Sequence, residues 1–522
     1  MVACLITQTE NATSSLDTLN DDILEEILSI MPFSDLACLS TVSHRLRCAC
    51  KPLIFRTLTF TSLRNCDKHF LPRSFWRYIR IASICWIPQI YPESRRLELE
   101  SSFPQLHSLH TICIEEFDHC ISWSTLKALL SPPALQNLEV LSYRWPARSP
   151  FDIEELKSMQ LSLRKFKSST CGSFWSYPVN RDLIPLEAAW TWWILEKSRL
   201  TLESLTIPAE TAQYSRMIAT TWPSLQEFNL YGFAPDPDVS LLSFLSRTQK
   251  LRSLTLKLAQ TREYPPFMLW PPGAVANVDL THLRSFTISY PHPDDTIFSH
   301  LPSELQSLSV RDCPRYYIGD TVGEIPKRMP LLSATELLRI LRTQVFHHLE
   351  RLEVVYRADG NDSELVEFIV TTFPLLTFLE IHRYPAHGDE TIPLTEIIAT
   401  LSRLTHLRVL HLNLTSPASP PSPLDGPLRE STQLQEAQSK LVAQAFSRSQ
   451  LREMGFLNRQ YSLNFWATWY IDRDSSGHIT QCYHEELSTL RYRFVDEPGP
   501  PVRPLPLVIP VDMIQFSSTF IV

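Results

Sequence analysis

Leucine and its apolar substitutes recur along most of this chain with one local spacing, L-x-x-L-x-L. The clear copies are Leu135-Leu138-Val140, Leu202-Leu205-Ile207, Leu225-Phe228-Leu230, Leu251-Leu254-Leu256, Leu283-Phe286-Ile288, Leu305-Leu308-Val310, Leu349-Leu352-Val354, Leu376-Leu379-Ile381 and Leu407-Leu410-Leu412. Weaker ones stand at Leu109-Ile112-Ile114, Leu163-Phe166 and Leu451-Met454-Phe456. The closing alternation of each copy predicts a short strand with two side chains turned into a core. Helix start signals lie between the copies: Ser333 three residues before Glu336 in SATELLRILRTQVF, Asp362 before SELVEFIVTTF, Thr395 before EIIATLSRL and Ser431 before TQLQEAQSKLVAQAF. Strand then helix, many times over, predicts parallel strands in a stack where each unit covers its neighbour.

The N-terminal region follows a different period. Ile23, Leu24, Ile27, Leu28 and Met31 recur at helical spacing, and Asp21, Asp22, Glu25 and Glu26 fill the opposite side, where they suit the positive end of the helix dipole. Asn20 or Asp22 is the expected N-cap and Pro32 the stop. Ser34 is expected to cap a second short helix with Leu36 and Leu39, and Val42, Leu46 and Arg47 fall in a third that ends before Pro52. Chains below about 40 residues rarely bury enough apolar surface to stand alone. Part of this apolar stripe is therefore available to a partner.

In the order of its residue types this segment resembles the F-box. Leu19, the run Asp21-Asp22-Ile23-Leu24, Glu26-Ile27-Leu28, Met31-Pro32, Asp35-Leu36, Leu39 and Val42-Ser43-His44-Arg45-Leu46 fall at that family's positions. Asn20 stands where the family usually has Pro, and Leu46 where it often has Trp. Lys51 to Phe60 looks like the segment that follows the F-box in many fungal members. The later copies resemble irregular leucine-rich repeats, whose period is about 20 to 29 residues; here the first leucines from Leu202 to Leu407 stand 22 to 44 residues apart. The fold class implied is α/β, an N-terminal three-helix F-box followed by a leucine-rich-repeat-like α/β solenoid. The domains expected are 14–60 F-box, 61–104 connecting segment, 105–495 solenoid and 496–522 Pro-rich tail. Insertions near 261–279, 313–330 and 415–427 interrupt the stack; the aromatics of the first two, Trp270 and Tyr316-Tyr317, suit exposed binding loops. The third is Pro-rich, with Ser416, Ser419 and Ser422 each preceding Pro as phosphorylation candidates.

Composition narrows the function. The chain has 522 residues, 44% of them apolar and 20% charged, enough for a large core. A net charge of -8 without a basic cluster does not fit nucleic acid. Eleven glycines against 40 prolines argue against Gly-rich phosphate loops, and 11 cysteines without C-x-x-C spacing against a disulfide or zinc framework. Residues 1–15 lack the features of a signal peptide and no long apolar run follows, so a soluble protein of the cytoplasm or nucleus is expected. No hydrolase, zincin or dinucleotide motif is present, so a non-catalytic protein without cofactor or metal is expected. Asp472 to Thr480 resembles the start of a calcium loop, but Tyr483 stands where a Glu is needed, and a hairpin turning at Ser475 to Gly477 is the better reading. His347-His348 reads as structural.

The resemblance implies the substrate-recognition subunit of a cullin-RING (SCF) ubiquitin ligase, with a Skp-type adaptor, a cullin scaffold and an unknown protein substrate as partners. The alternative is a repeat scaffold that binds the adaptor or other proteins without driving ubiquitination. Adaptor docking is expected at Leu19, Ile23, Leu24, Ile27, Leu28, Met31, Pro32, Leu36 and Val42. The strand residues that alternate with the leucines point to the concave face, and there substrate is expected to meet Asn229, Tyr231, Lys257, Arg311, Glu353, Glu380, His382 and His411, beside Thr255 and Ser309. Tyr231 and Arg311 are the expected anchors.

Overall fold

The computed structural model describes residues 16, 19–60, 72–85, 93–115, 123–141, 158–168, 184–235, 240–261, 266–313, 315, 327–328, 330–386, 393–414, 428–460 and 463–484. The expected loop at 415–427, the tail at 496–522 and Tyr316-Tyr317 lie outside them.

The chain begins with helices α1 (Asp21–Ile30), α2 (Phe33–Leu39) and α3 (His44–Ile54). Asn20 caps α1, its side chain accepting from the Asp22 amide, and Ser43 caps α3 by accepting from the Leu46 amide. Two expectations are corrected. Pro32 rather than Ser34 is the residue before α2, and α3 runs through Pro52 to Ile54 instead of ending ahead of it. Leu24, Leu28, Leu36, Leu46 and Cys50 form a small core of their own.

Strands follow: β1 (Thr57–Phe60), β2 (Ile81–Cys85), β3 (Thr111–Glu115), β4 (Asn137–Val140), β5 (Lys165–Ser168), β6 (Ser204–Pro208), β7 (Glu227–Phe233), β8 (Ser253–Thr261), β9 (Ser285–Ser289), β10 (Ser307–Arg311), β11 (Lys327–Arg328), β12 (Arg351–Arg357), β13 (Phe378–Tyr384), β14 (Val409–Asn413), β15 (Glu453–Gln460), β16 (Leu463–Arg473) and β17 (Ile479–His484). Each repeat leucine pattern opens one of them. β1 to β10 and then β12 to β15 pair in chain order and in parallel, while β16 and β17 close the sheet antiparallel. The ladder thus starts at β1 and β2, ahead of residue 105. β2 was hidden because Ala82 takes the place of a leucine.

The register lines up one apolar residue per strand: Leu58, Ala82, Ile112, Leu138, Phe166, Leu205, Phe228, Leu254, Phe286, Leu308, Leu352, Leu379, Leu410 and Met454. This row and the apolar sides of the intervening helices make one continuous core. A second repeated device holds the strand entrances. The carbonyl just before each strand, from Arg56, Arg80, His110 and Gln136 through Glu350, Thr377 and Arg408, accepts two amides of the next repeat at 2.7–3.1 Å. Backbone groups are thereby paired without one side-chain type recurring at the turn.

The first insertion is packed at Leu269 and Trp270, whereas residues 271–275 are exposed. Leu269 and Trp270 are buried, and the Asp295 carboxylate accepts from their amides at 2.6 and 3.0 Å. Trp270 also stacks on His300 at 3.8 Å, so it is withdrawn from the binding role expected of it. The calcium-like segment is a hairpin turn: Asp474 Oδ1 accepts from the amides of Ser476 and His478 and from the Ser476 hydroxyl, and Gly477 takes φ +87°. Among the described residues no helix is long and apolar enough to cross a membrane.

Candidate binding surfaces

Helix α1 carries two apolar stripes, not one. Leu24 and Leu28 turn inward, whereas Ile23 is 50% and Ile30 73% exposed, with Ile27 half-buried between them at the same helical spacing. The nine residues expected to dock an adaptor divide accordingly. Leu24, Leu28 and Leu36 belong to the core of the three helices, while Ile23, Pro32 and Val42 are exposed and Leu19, Ile27 and Met31 half-buried. Burying three of them gives the helices a rigid seat; the others leave apolar surface in water. Sequence reasoning missed Ile30 and Phe33, which are also exposed. A single merged stripe hid the first, and the second falls just after Pro32, outside the helical period that was read. Arg45 ties the unit together, donating to the Leu19 carbonyl and the Asp21 carboxylate at 2.5 and 2.6 Å.

On the sheet face away from the helices, one register row runs Thr206, Asn229, Thr255, Thr287, Ser309, Glu353, Glu380, His411 and Gly455. Its first part is half-buried and made of small hydroxyls and amides, with Asn229 donating to Thr206 Oγ1 at 3.1 Å. Tyr231 and Lys257 flank it, also half-buried, and the Tyr231 hydroxyl donates to the Ser168 carbonyl.

The second part is a buried charge network. Arg315 donates to Asp312 at 2.9 Å and to Glu380 at 3.1 Å, and lies 2.8 Å from Glu353. His382 Nε2 meets Glu380 Oε1 at 2.7 Å, and Asn413 Nδ2 meets His382 Nδ1 at 3.1 Å. The Asn413 amide continues to the Tyr384 hydroxyl and that hydroxyl to Asp312, closing the ring of contacts. His411 stands between Glu380 and Glu453, 3.5 Å from each, and stacks on Trp466 of β16 at 4.6 Å. Val355, Tyr384 and Leu457 pack beside it with Leu331 and Trp466 as a small third core.

Burial disfavours charge on these groups, but their partners outweigh it. Glu380 is held well below the ordinary carboxylate range by hydrogen bonds from His382 and His411 and by the Arg315 charge. His411 is raised above the ordinary histidine value because Glu380 and Glu453 accept its protons. Glu353, Glu380 and His382 bring ligand atoms within 4.8 Å of one another, a metal-like spacing. The Arg315 guanidinium already supplies the countercharge between the two carboxylates, its Nη2 lying 2.8 Å from Glu353 and 3.1 Å from Glu380.

The substrate residues read from the sequence thus separate. Asn229, Tyr231 and Lys257 are accessible on the first part, whereas Arg311, Glu380 and His382 are buried in the second, with Glu353 and His411 mostly covered. Arg311 is therefore corrected from anchor to interior residue: it is 3% exposed and 3.9 Å from Glu353. Alternation places a side chain on a face, and it is silent about what covers that face.

A family model described as "F-box domain" matches residues 16–58. No curated protein matches the chain. Among solved structures it is similar to the leucine-rich repeat-containing protein LegL7 from Legionella pneumophila, at 11% identity over 81% of this chain and 92% of that one, with a TM-score of 0.26.

Proposed function

We propose, from the premise that this chain carries an F-box domain ahead of a leucine-rich-repeat-like solenoid, that it is the substrate-recognition subunit of an SCF ubiquitin ligase. The F-box domain covers residues 16–58, and domains of that family bind Skp-type adaptors. In this reading the protein is non-catalytic: it holds a protein substrate near a conjugating enzyme that the complex supplies, raising its effective concentration. The observation that carries the adaptor half is the second apolar stripe of α1. Ile23 and Ile30 remain half to three-quarters exposed beside Phe33 at 49% and Val42 at 69%, in a unit whose own core is already filled. Cargo is assigned to the accessible strand face from β6 to β9, with Asn229, Tyr231 and Lys257 as contacts, because the face from β10 to β15 is occupied by its own side chains.

Co-purification of the full chain with adaptor and cullin tests the reading. Ile27→Asp or Phe33→Asp is expected to abolish adaptor recovery, since a carboxylate on a surface that must be desolvated lacks a partner. The thermal unfolding of the solenoid should stay unchanged. Tyr231→Ala with Lys257→Ala should keep adaptor and lose captured substrate. Wild-type adaptor recovery from Ile27→Asp and Phe33→Asp would remove the F-box role, and recovery of adaptor without cullin would leave a scaffold.

A further inference from the structure

At the C-terminal end of the ladder a cleft of about 460 Å³ lies between the turn that enters β15 and the hairpin turn after β16. Arg448, Arg452 and Arg473 line it with Ser447, Ser476 and His478, and no Asp or Glu is among the lining residues. Arg473 is a fixed wall: Nη1 donates to the carbonyls of Ser447 and Gly477 and Nη2 to that of Phe446, each at 2.9 Å. These are dipoles, so its charge meets no carboxylate. Its Nε is buried without a hydrogen-bond partner.

Arg448 and Arg452 are exposed, and among the described residues neither side chain has a hydrogen-bond or ion-pair partner. Nor has the side chain of Arg408, a residue that stands beside Arg452 because the next residues, Val409 and Glu453, are paired across β14 and β15. Adjacent strands are about 4.8 Å apart, and like charges at neighbouring positions repel. Asp474, in the adjoining turn, does not relieve this. Its Oδ1 is taken by the amides of Ser476 and His478 and by the Ser476 hydroxyl, and its Oδ2 faces His478 at 3.7 Å. In a chain of net charge -8, a cleft with this convergence of unpaired cations calls for an anion.

We propose that this cleft binds a phosphate monoester or inorganic phosphate dianion through Arg448 and Arg452, with Arg473 as the fixed positive wall. The guanidinium forks match the oxygens of such a group, and two negative charges answer the repulsion that a single carboxylate would leave. The site is independent of the adaptor surface and of the strand face assigned to cargo.

The test titrates the full chain by calorimetry with inorganic phosphate, and in parallel with a short peptide carrying one phosphoserine, both against chloride at equal ionic strength. Saturable binding at about 1 mM or tighter is expected. Arg448→Gln with Arg452→Gln should weaken it at least tenfold, and Arg448→Lys with Arg452→Lys should recover part of it. Both side chains are exposed, so an unchanged thermal midpoint in chloride verifies folding. Tighter binding of the phosphopeptide assigns the phosphate to a protein partner, and tighter binding of inorganic phosphate to a small solute. No saturation, or equal binding by the double Gln variant, overturns the proposal.

Discussion

Two parts of one sheet face share a register row and differ in almost everything else. From β6 to β9 the row reads Thr206, Asn229, Thr255, Thr287; from β10 to β15 it reads Ser309, Glu353, Glu380, His411, Gly455. The first set is small, neutral and half-buried. The second is charged and lies under Arg315 and Trp466, which come from outside the repeat strands' own pattern. Charged strand residues are normally read as solvated, but here opposite charges meet at hydrogen-bond distance and exclude water. Accessible strand face is therefore left in the first part, where the row is uncharged.

The largest break in this comparison is expected from Glu380→Gln. Removing one member of a buried charge network leaves its partners uncompensated, at a cost of about 3–5 kcal/mol. Units of a solenoid can open separately, so the change should be read as faster amide exchange across β12 to β14 rather than from one melting midpoint. Asn229→Ala, at a register-equivalent position in the open part, should cost about 0.5 kcal/mol or less. Equal effects at the two positions would mean that the second part is not a closed network.

Next in size is Gly455→Ala. A Cβ there would stand 2.7 Å from His411 Cδ2 and 3.1 Å from its Nε2. The ring cannot retreat easily, being stacked on Trp466 and held by Glu380 and Glu453. Overpacking of this kind costs about 1–3 kcal/mol. A crystal structure with His411 displaced, or stability equal to wild type, would decide whether the stack is as tight as the geometry states.

The network should also make the second part sensitive to pH, with two limbs of opposite sign. Glu380 is depressed in the folded protein, so its contribution is present above the ordinary carboxylate value of 4.5 and is lost as pH falls through its folded value. His411 is raised, so its contribution is complete below the ordinary histidine value of 6.5 and is lost as pH rises through its folded value. The two limbs share the Glu380–His411 contact and do not sum. Protection of β13 and β14 amides should peak between pH 4.5 and 6.5, and His411→Phe should flatten the alkaline limb and shrink the acidic one to the part owed to His382 and Arg315. Protection of β8 should follow neither limb; β7 is no control, because its Phe233 amide donates to Glu210, whose carboxyl burial pushes up to about 7.

Much of this was legible in the residues. Leucines three and then two apart report a strand of parallel ladder because each must fill the same slot in its neighbour, and every copy from Leu109 to Leu451 opens one. The F-box signature is local and held together by caps such as Ser43, so a short window contains it. The charge network was not legible, since Asp312, Glu380 and Asn413 meet only after intervening repeats have stacked. Nor were the two stripes of α1: Ile23 and Leu24 are neighbours in sequence, and only the packing of Leu24 against Leu46 and Cys50 separates inside from outside.

The smallest expected effect sharpens the comparison from the open side, where an ion pair does occur. Lys165 Nζ and Glu139 Oε1 are 2.7 Å apart on β5 and β4, as short as the His382–Glu380 contact, but their side chains are 43% and 19% exposed. Water and salt screen such a pair, and ordering two long side chains opposes it, so it contributes about 0.2–1 kcal/mol. Lys165→Met, Glu139→Gln and the double variant form a cycle whose coupling should lie in that range and shrink in 1 M salt. The matching cycle, Glu380→Gln with His382→Phe, should couple more strongly and hardly respond to salt, because the contact is away from solvent. If the Lys165–Glu139 coupling were the larger, burial would not govern these pairs, and the division of the sheet face into an open and a closed part would lose its energetic meaning.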